Sequence, residues 1–173
     1  NNSIVLAGTD ATTMTFPTTD ATIARTDAAQ TFTGTQTFSS DIVVNSINVG
    51  RGKGAVASNT AVGTDAISAT ATGTENSAMG YNALKVVTSG ARNTAVGSLA
   101  ASALTTGNDN TVLGYQALKN NTTGASNIAI GKDALLANST GNNNVAIGTS
   151  SLLGNTTGFS NIAMGLDSAL SNT

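Results

Sequence analysis

The sequence predicts an all-β fold, a parallel β-solenoid or β-roll in which short strands from successive coils stack along one axis. Three observations predict it. A glycine recurs every 17 residues through the last two-thirds of the chain, an asparagine precedes each of these glycines by four positions, and apolar residues keep the same period between them. A fixed period of this kind is the sequence signature of a repeat architecture.

The first 50 residues lack this repeat, and we assign residues 1–50 to an N-terminal β shaft segment. Threonines alternate with other residues over 31–38, so one face of a strand carries hydroxyls and the other carries the rings of Phe32 and Phe38. Such a ribbon has too little apolar surface to fold alone. Residues 51–58 follow as a glycine-rich joint, in which Gly52 and Gly54 allow the chain to change direction.

We assign residues 59–173 to a β-roll of seven 17-residue repeats, and we expect the repeats to continue beyond residue 173. The unit is too short for a helical-hairpin repeat, which needs more than about 30 residues, and each glycine would cost about 1 kcal/mol inside a helix. Each coil is expected to hold two short strands, one ending at the turn glycine and one ending at Thr-Thr-Gly. The turn glycines, which can adopt positive φ, are Gly63, Gly80, Gly97, Gly114, Gly131, Gly148 and Gly165.

Stacked coils place equivalent residues roughly 4.8 Å apart, so each apolar position of the repeat predicts an apolar column. One predicted column is Val62, Met79, Val96, Leu113, Ile130, Ile147 and Met164. A second is Ile67, Leu84, Leu118, Leu135 and Leu152, with Ala101 and Ala169 as smaller members beside Leu104 and Leu170. We expect both columns to be interior, so Ile130→Asp would disrupt the roll. Ala83, Ala100, Ala117 and Ala134 are expected where the two walls approach each other.

The repeated asparagine is interpreted as structural. Stacked side-chain amides can donate to one neighbouring coil and accept from the other, whereas a ligand or ion site needs different groups to converge. The predicted structural ladder is Asn59, Asn76, Asn93, Asn110, Asn127, Asn144 and Asn161.

Composition argues against several classes of function. The net charge is −2 with scattered basic residues, which is unlike a nucleic-acid-binding surface. There is no cysteine or histidine, so we expect no metal site and no cofactor. No apolar run approaches the roughly 18–20 residues that a membrane span needs, so we expect no membrane insertion.

Asp65, Asp133 and Asp167 occupy one column of the repeat. The nearest two would lie two coils apart, about 9.6 Å, near the upper limit for the carboxylates of an inverting glycosidase. We interpret them as solvated turn carboxylates because their column neighbours are unrelated in type. The sequence therefore predicts a protein that is not an enzyme.

The unit Asn-x-Ala-Ile/Val-Gly-x-x-Ala, as in 93–100 and 127–134, resembles the repeat of trimeric autotransporter adhesin heads. The longer form of the repeat, with the sequences at 81–84, 115–118 and 121–124, is similar to repeats of bacteriophage tail fibres. The segment 27–34 resembles phage fibre shaft sequence. The resemblance implies a homotrimer of parallel β-rolls packed side by side behind a trimeric shaft. This chain departs from the adhesin pattern in its period, because it repeats every 17 residues whereas adhesin heads repeat every 14 or so.

This resemblance implies a structural and adhesive segment of a virion tail fibre, with other tail or fibre proteins and a host glycan or protein receptor as partners. The alternative is the head of a bacterial trimeric autotransporter adhesin on the cell surface. A third interpretation is a monomeric ice- or surface-binding β-solenoid, suggested by the column Thr72, Thr106, Thr123, Thr140 and Thr157. Exposed positions that could contact sugar are Tyr81, Tyr115 and Phe159.

Overall fold

One nine-stranded sheet runs through the residues described by the computed structural model, which are 42–44, 47–54 and 56–171. Its strands are β1 (Ile42–Val44), β2 (Ile47–Gly50), β3 (Thr60–Val62), β4 (Ser77–Met79), β5 (Thr94–Val96), β6 (Thr111–Leu113), β7 (Ile128–Ile130), β8 (Val145–Ile147) and β9 (Ile162–Met164). None of these described residues is helical. Residues 1–41, which hold most of the predicted shaft, lie outside the described part of the chain.

The strands follow one another across the sheet in sequence order. From β3 to β9 every pair is parallel, and each register is offset by one repeat, as in Ala61↔Ala78 and Ala146↔Ala163. These seven parallel strands enclose about six turns of a solenoid with 17-residue coils, which confirms the predicted all-β class and coil length.

The sheet begins before the first repeat. β1 and β2 form an antiparallel pair, and β2 pairs antiparallel with β3 through Val49↔Val62 and Gly50↔Ala61. The chain passes through Gly52, whose φ is 76°, between β2 and the first coil. The N-terminal edge of the parallel stack is therefore covered by a strand that runs in the opposite direction.

Each coil contains one strand, so the prediction of two strands per coil was wrong. The opposite wall is a series of turns, in which two residues per coil have left-handed backbone conformations, such as Asn82 at φ 57° and Leu84 at φ 48°. Extended backbone cannot pass through such positions. Successive coils are still hydrogen-bonded along this wall, because Leu84 N–H donates to Ala100 O at 3.1 Å and Leu118 N–H donates to Ala134 O at 2.9 Å.

The interior combines a leucine wall with two alanine columns. Burial of Ile67, Leu84, Leu118, Leu135 and Leu152 confirms the second predicted apolar column. Leu104 is buried in the coil that has the smaller Ala101 in this column, whereas Leu170, in the coil of Ala169, is exposed. The predicted alanines Ala83, Ala100, Ala117 and Ala134 are fully buried. Each buried leucine contributes about 1.5–3 kcal/mol, and the alanines allow the two walls to approach closely.

The first predicted column does not lie in the interior, which corrects the expectation for Ile130. The buried residue of each strand is its middle one, as in Ala61, Ala95 and Ala129, and the next residue faces outward. Successive side chains of a strand point to opposite faces, so alanine and its larger neighbour cannot both be inside. The buried position holds alanine in six of the seven parallel strands and Val112 in β6, so no side chain larger than valine lies opposite the leucine wall.

Candidate interaction surface

The outward-facing column is the main apolar surface of the described roll. We call it the outer apolar column, and it consists of Val62, Met79, Val96, Leu113, Ile130, Ile147 and Met164. Met79 is 53% exposed, Leu113 48% and Met164 66%, while the other four side chains are partly buried. A continuous apolar row of this length on the surface indicates an interaction site.

The face widens toward the C-terminal coils. The first residue of each strand lies on the same face, and it is Thr60, Ser77, Thr94 and Thr111 in the first four parallel strands. In the last three it becomes Ile128, Val145 and Ile162. From β7 onward each strand therefore exposes two apolar side chains instead of one.

The asparagine column is a hydrogen-bonded ladder inside the roll. Asn127 N–H donates to Asn110 Oδ1 at 3.0 Å, and Asn144 N–H donates to Asn127 Oδ1 at 3.0 Å. From Asn59 to Asn144, each side-chain nitrogen also donates to a glycine carbonyl fourteen residues on, as Asn127 Nδ2 does to Gly141 O at 2.8 Å. The amides are saturated by the protein itself, so this column presents no open ligand site. The same pattern runs from Asn59 to Asn161.

A second set of buried asparagines went unrecognised in the sequence. Asn121, Asn138 and Asn155 are buried, and Asn121 closes the Thr-Thr-Gly loop by accepting from Gly124 N–H and donating to Gly124 O, both at 2.9 Å. Earlier coils have Val87 and Leu104 at the equivalent position. The local signal was the Asn-x-x-Gly spacing, in which a short amide side chain bonds its own loop.

The turn glycines lie where the strands end, and every one has a φ between 115° and 143°. Glycine is also required by close packing between coils: a Cβ built on Gly80 would lie 2.6 Å from Gly97 O. The backbone of one coil therefore rests directly on the backbone of the next.

Tyr81 and Tyr115 are exposed at one position of the repeat, two coils apart, immediately beyond the turn glycine. Their fractional exposures are 54% and 49%. Phe159 is 72% exposed, but it lies at a different position, in a column with Ala125 and Asn142. The structure thus separates Phe159 from the two tyrosines.

The three column aspartates lie at left-handed turn positions, with φ of 55° for Asp65, 58° for Asp133 and 53° for Asp167. Aspartate tolerates this backbone conformation better than most residues. Asp65 lines a shallow pocket of about 200 Å³ together with Asn48, Lys53 and Ser68. Among the described residues, no three acidic side chains converge to hold a metal ion.

One exposed ion pair links neighbouring coils. Arg92 Nε donates to Asp109 Oδ1 at 2.6 Å, and a terminal guanidinium nitrogen donates to Asp109 Oδ2 at 2.9 Å. The hydrogen bond from Arg92, with its positive charge, lowers the pKa of Asp109 from its ordinary value. Because the folded-state pKa is lowered, the pair stabilises the fold above the pKa of an unfolded aspartate, and this stabilisation is lost as pH falls through the lowered pKa.

We expect Arg92→Ala to raise the pKa of Asp109 toward its ordinary value, as measured by NMR titration of the carboxyl carbon. The change in stability should be small and should shrink further with added salt, because the pair is exposed. Lys132→Ala, at a lysine 3.8 Å from Asp133, is the control and should leave Asp109 unchanged. An unaltered titration in Arg92→Ala would mean that the pair does not persist in solution.

Comparisons of the chain with family models, with curated proteins and with solved structures found no significant match. No helix in the described part of the chain is long and apolar enough to cross a membrane. The fold and surface define a β-solenoid repeat protein with an exposed apolar column along its sheet.

Proposed function

We propose that this chain is a structural and adhesive segment of a bacteriophage tail fibre, in which three copies pack side by side along their outer apolar columns. The observation that carries the proposal is the position of that column. Seven apolar side chains, one from every coil, face outward in a continuous row although the interior is already filled by alanine and leucine. Because a continuous exposed apolar row indicates an interaction surface, its presence in every coil supports a partner that covers it.

The size of the column suits association with other copies. Full burial of one such side chain contributes about 1.5–3 kcal/mol, so completing the burial of seven partly buried ones contributes on the order of 7 kcal/mol per chain. Association costs an estimated 4–15 kcal/mol, so the column alone offsets the lower part of this range. The wider apolar face from β7 onward adds to this contribution.

The regular backbone suits a mechanical role. Several backbone hydrogen bonds and one asparagine side chain join each coil to the next, so a pull along the axis is shared among the bonds of each coil interface. Three copies in one fibre would also present each weak surface contact three times, and linked contacts bind more firmly than single ones. On this proposal the fibre belongs to the virion, and its partners are other tail proteins and a host surface receptor.

The native mass of the chain, measured by light scattering, tests the proposal directly. We expect three times the 17.0 kDa of one chain. A folded monomer at micromolar concentration would contradict the proposal and would favour the surface-binding solenoid, the alternative that needs no partner copy.

Ile130→Asp places a charge on the outer apolar column without entering the interior. We expect the variant to keep its fold and to lose the trimer, because a charge buried between copies has no partner there. Light scattering gives the mass, and circular dichroism reports the fold. Thr140→Asp, which adds the same charge at an exposed turn, should remain trimeric. If Ile130→Asp also remains trimeric, the column is not the interface.

A further inference from the structure

We propose that Tyr81 and Tyr115 form a binding site for an extended β-1,4-linked glycan lying along the axis of the roll. The proposal deepens the adhesive part of the proposed function and rests on it. It adds a position, an orientation and a ligand class for the contact with the host surface.

The first argument is the spacing of the two rings. Backbone hydrogen bonds continue past the strands at this position: Leu99 N–H donates to Tyr81 O at 2.8 Å, and Gln116 N–H donates to Ser98 O at 3.0 Å. These bonds hold the two tyrosines in one column with a single coil between them. Two coil spacings amount to roughly 9.6 Å, close to the length of one disaccharide in an extended β-1,4-linked chain. Sugars one and three of such a chain can therefore meet the two rings.

The second argument is the size and exposure of the side chains near the two rings. The coils that carry the tyrosines also carry the large exposed side chains Met79 and Leu113, two residues before each ring. The coil between them has the smaller Val96 and Ser98 at these positions, and both are partly buried. Each tyrosine thus has an exposed apolar residue two positions earlier in its coil, and the coil between them has a smaller apolar residue and a hydroxyl at the same positions. This arrangement suits a chain of sugar rings, whose faces stack on aromatic groups while their edges bond to polar ones.

The column continues with polar groups in the direction of the C terminus. Lys132 and Thr149 follow Tyr115 at the same position of the next two coils, and both are exposed. A glycan that extends past Tyr115 would meet an ammonium group and then a hydroxyl, both of which can bond to sugar oxygens. Phe159 has no second aromatic residue in its column, so it offers no such repeat.

The tyrosine column lies beside the outer apolar column, at the point where the chain leaves the sheet. On the proposed trimer, we expect the tyrosines to lie at the margin of the contact between copies, with one side of each ring open. Each trimer would then present three parallel glycan tracks.

The test is isothermal titration of the full chain with cellotetraose, with cellobiose and maltotetraose as comparison ligands. We expect cellotetraose to bind, and cellobiose to bind at least about tenfold more weakly because it spans only one ring. Maltotetraose, whose α-linkages coil the chain, should also bind at least about tenfold more weakly. Absence of cellotetraose binding, or equal binding of maltotetraose, would overturn the proposal.

Variants locate the site. Tyr81→Ser and Tyr115→Ser should each weaken cellotetraose binding by about tenfold, and the double variant should abolish it. Phe159→Ser removes an exposed ring from another column and should leave binding unchanged. If the tyrosine variants bind as the parent does, the site is elsewhere and the proposal fails.

The native mass of each variant separates this proposal from the trimer. Binding that depends on the tyrosines in a chain that proves monomeric supports the glycan site and contradicts the fibre. A trimer that falls apart in the double tyrosine variant shows that the rings belong to the interface, which overturns the glycan site.

Discussion

Gly131→Ala is expected to destabilise the roll by roughly 2–6 kcal/mol, through backbone strain and through overpacking between coils. Gly131 has a φ of 131°, which residues with a side chain rarely adopt. A Cβ at this position would also lie 2.5 Å from Gly148 O and 2.6 Å from the carbonyl carbon. Both of those atoms belong to the backbone of the next coil, so neither can move without disturbing the stack.

Thermal or denaturant unfolding of the variant measures this effect, and Gly165→Ala separates its two causes. Gly165 occupies the same column with a φ of 115°, but a Cβ there meets no atom of the described residues within 4 Å. The control variant should therefore lose only the strain contribution, about 1–3 kcal/mol. Equal losses in the two variants would show that contact between coils is not what requires glycine.

Asn127→Ala is expected to cost roughly 3 kcal/mol, because it leaves a buried N–H group without an acceptor. The side-chain oxygen of Asn127 accepts from Asn144 N at 3.0 Å and from Asn144 Nδ2 at 3.2 Å. Its side-chain nitrogen donates to Gly141 O at 2.8 Å. The Asn144 backbone N–H is fully enclosed, and alanine offers it nothing in return.

Asn161→Ala is the matched control for this loss. Asn161 is the last member of the ladder, and within the described residues it donates to Asn144 Oδ1 without serving a further coil. Its replacement should cost clearly less, since no downstream N–H is orphaned. Chemical denaturation of both variants gives the comparison, and an equal or smaller loss for Asn127→Ala would show that the ladder adds little to stability.

Much of the fold was predictable because a tandem repeat multiplies a weak signal. A single Asn-x-Ala-Val-Gly unit carries little information, but seven copies at one spacing predicted the coil length and the parallel order. Burial of Leu84 and Leu118 was predicted for the same reason, because a large apolar residue that recurs at one position of every coil is expected to pack in the interior. The second asparagine set was missed because Val87 and Leu104 break its column in the earlier coils.

The candidate surface was predictable only in part. Exposure of Tyr81 and Tyr115 was expected from their variable column, and both are exposed. The outer apolar column was expected inside the roll. Ala129 and Ile130 are both apolar neighbours in one strand, so the sequence pattern could not decide which of them faces inward.

The sequence by itself determined the period, the all-β class and the residues that form each column, because these depend on spacing alone. Only the tertiary structure decided which columns face inward. That choice depends on the width of the interior, where the leucine wall and the left-handed turn residues leave space for alanine, or for Val112 in β6, opposite them. The larger side chains of the strands are thereby placed on the outside, as the surface on which the proposed association depends.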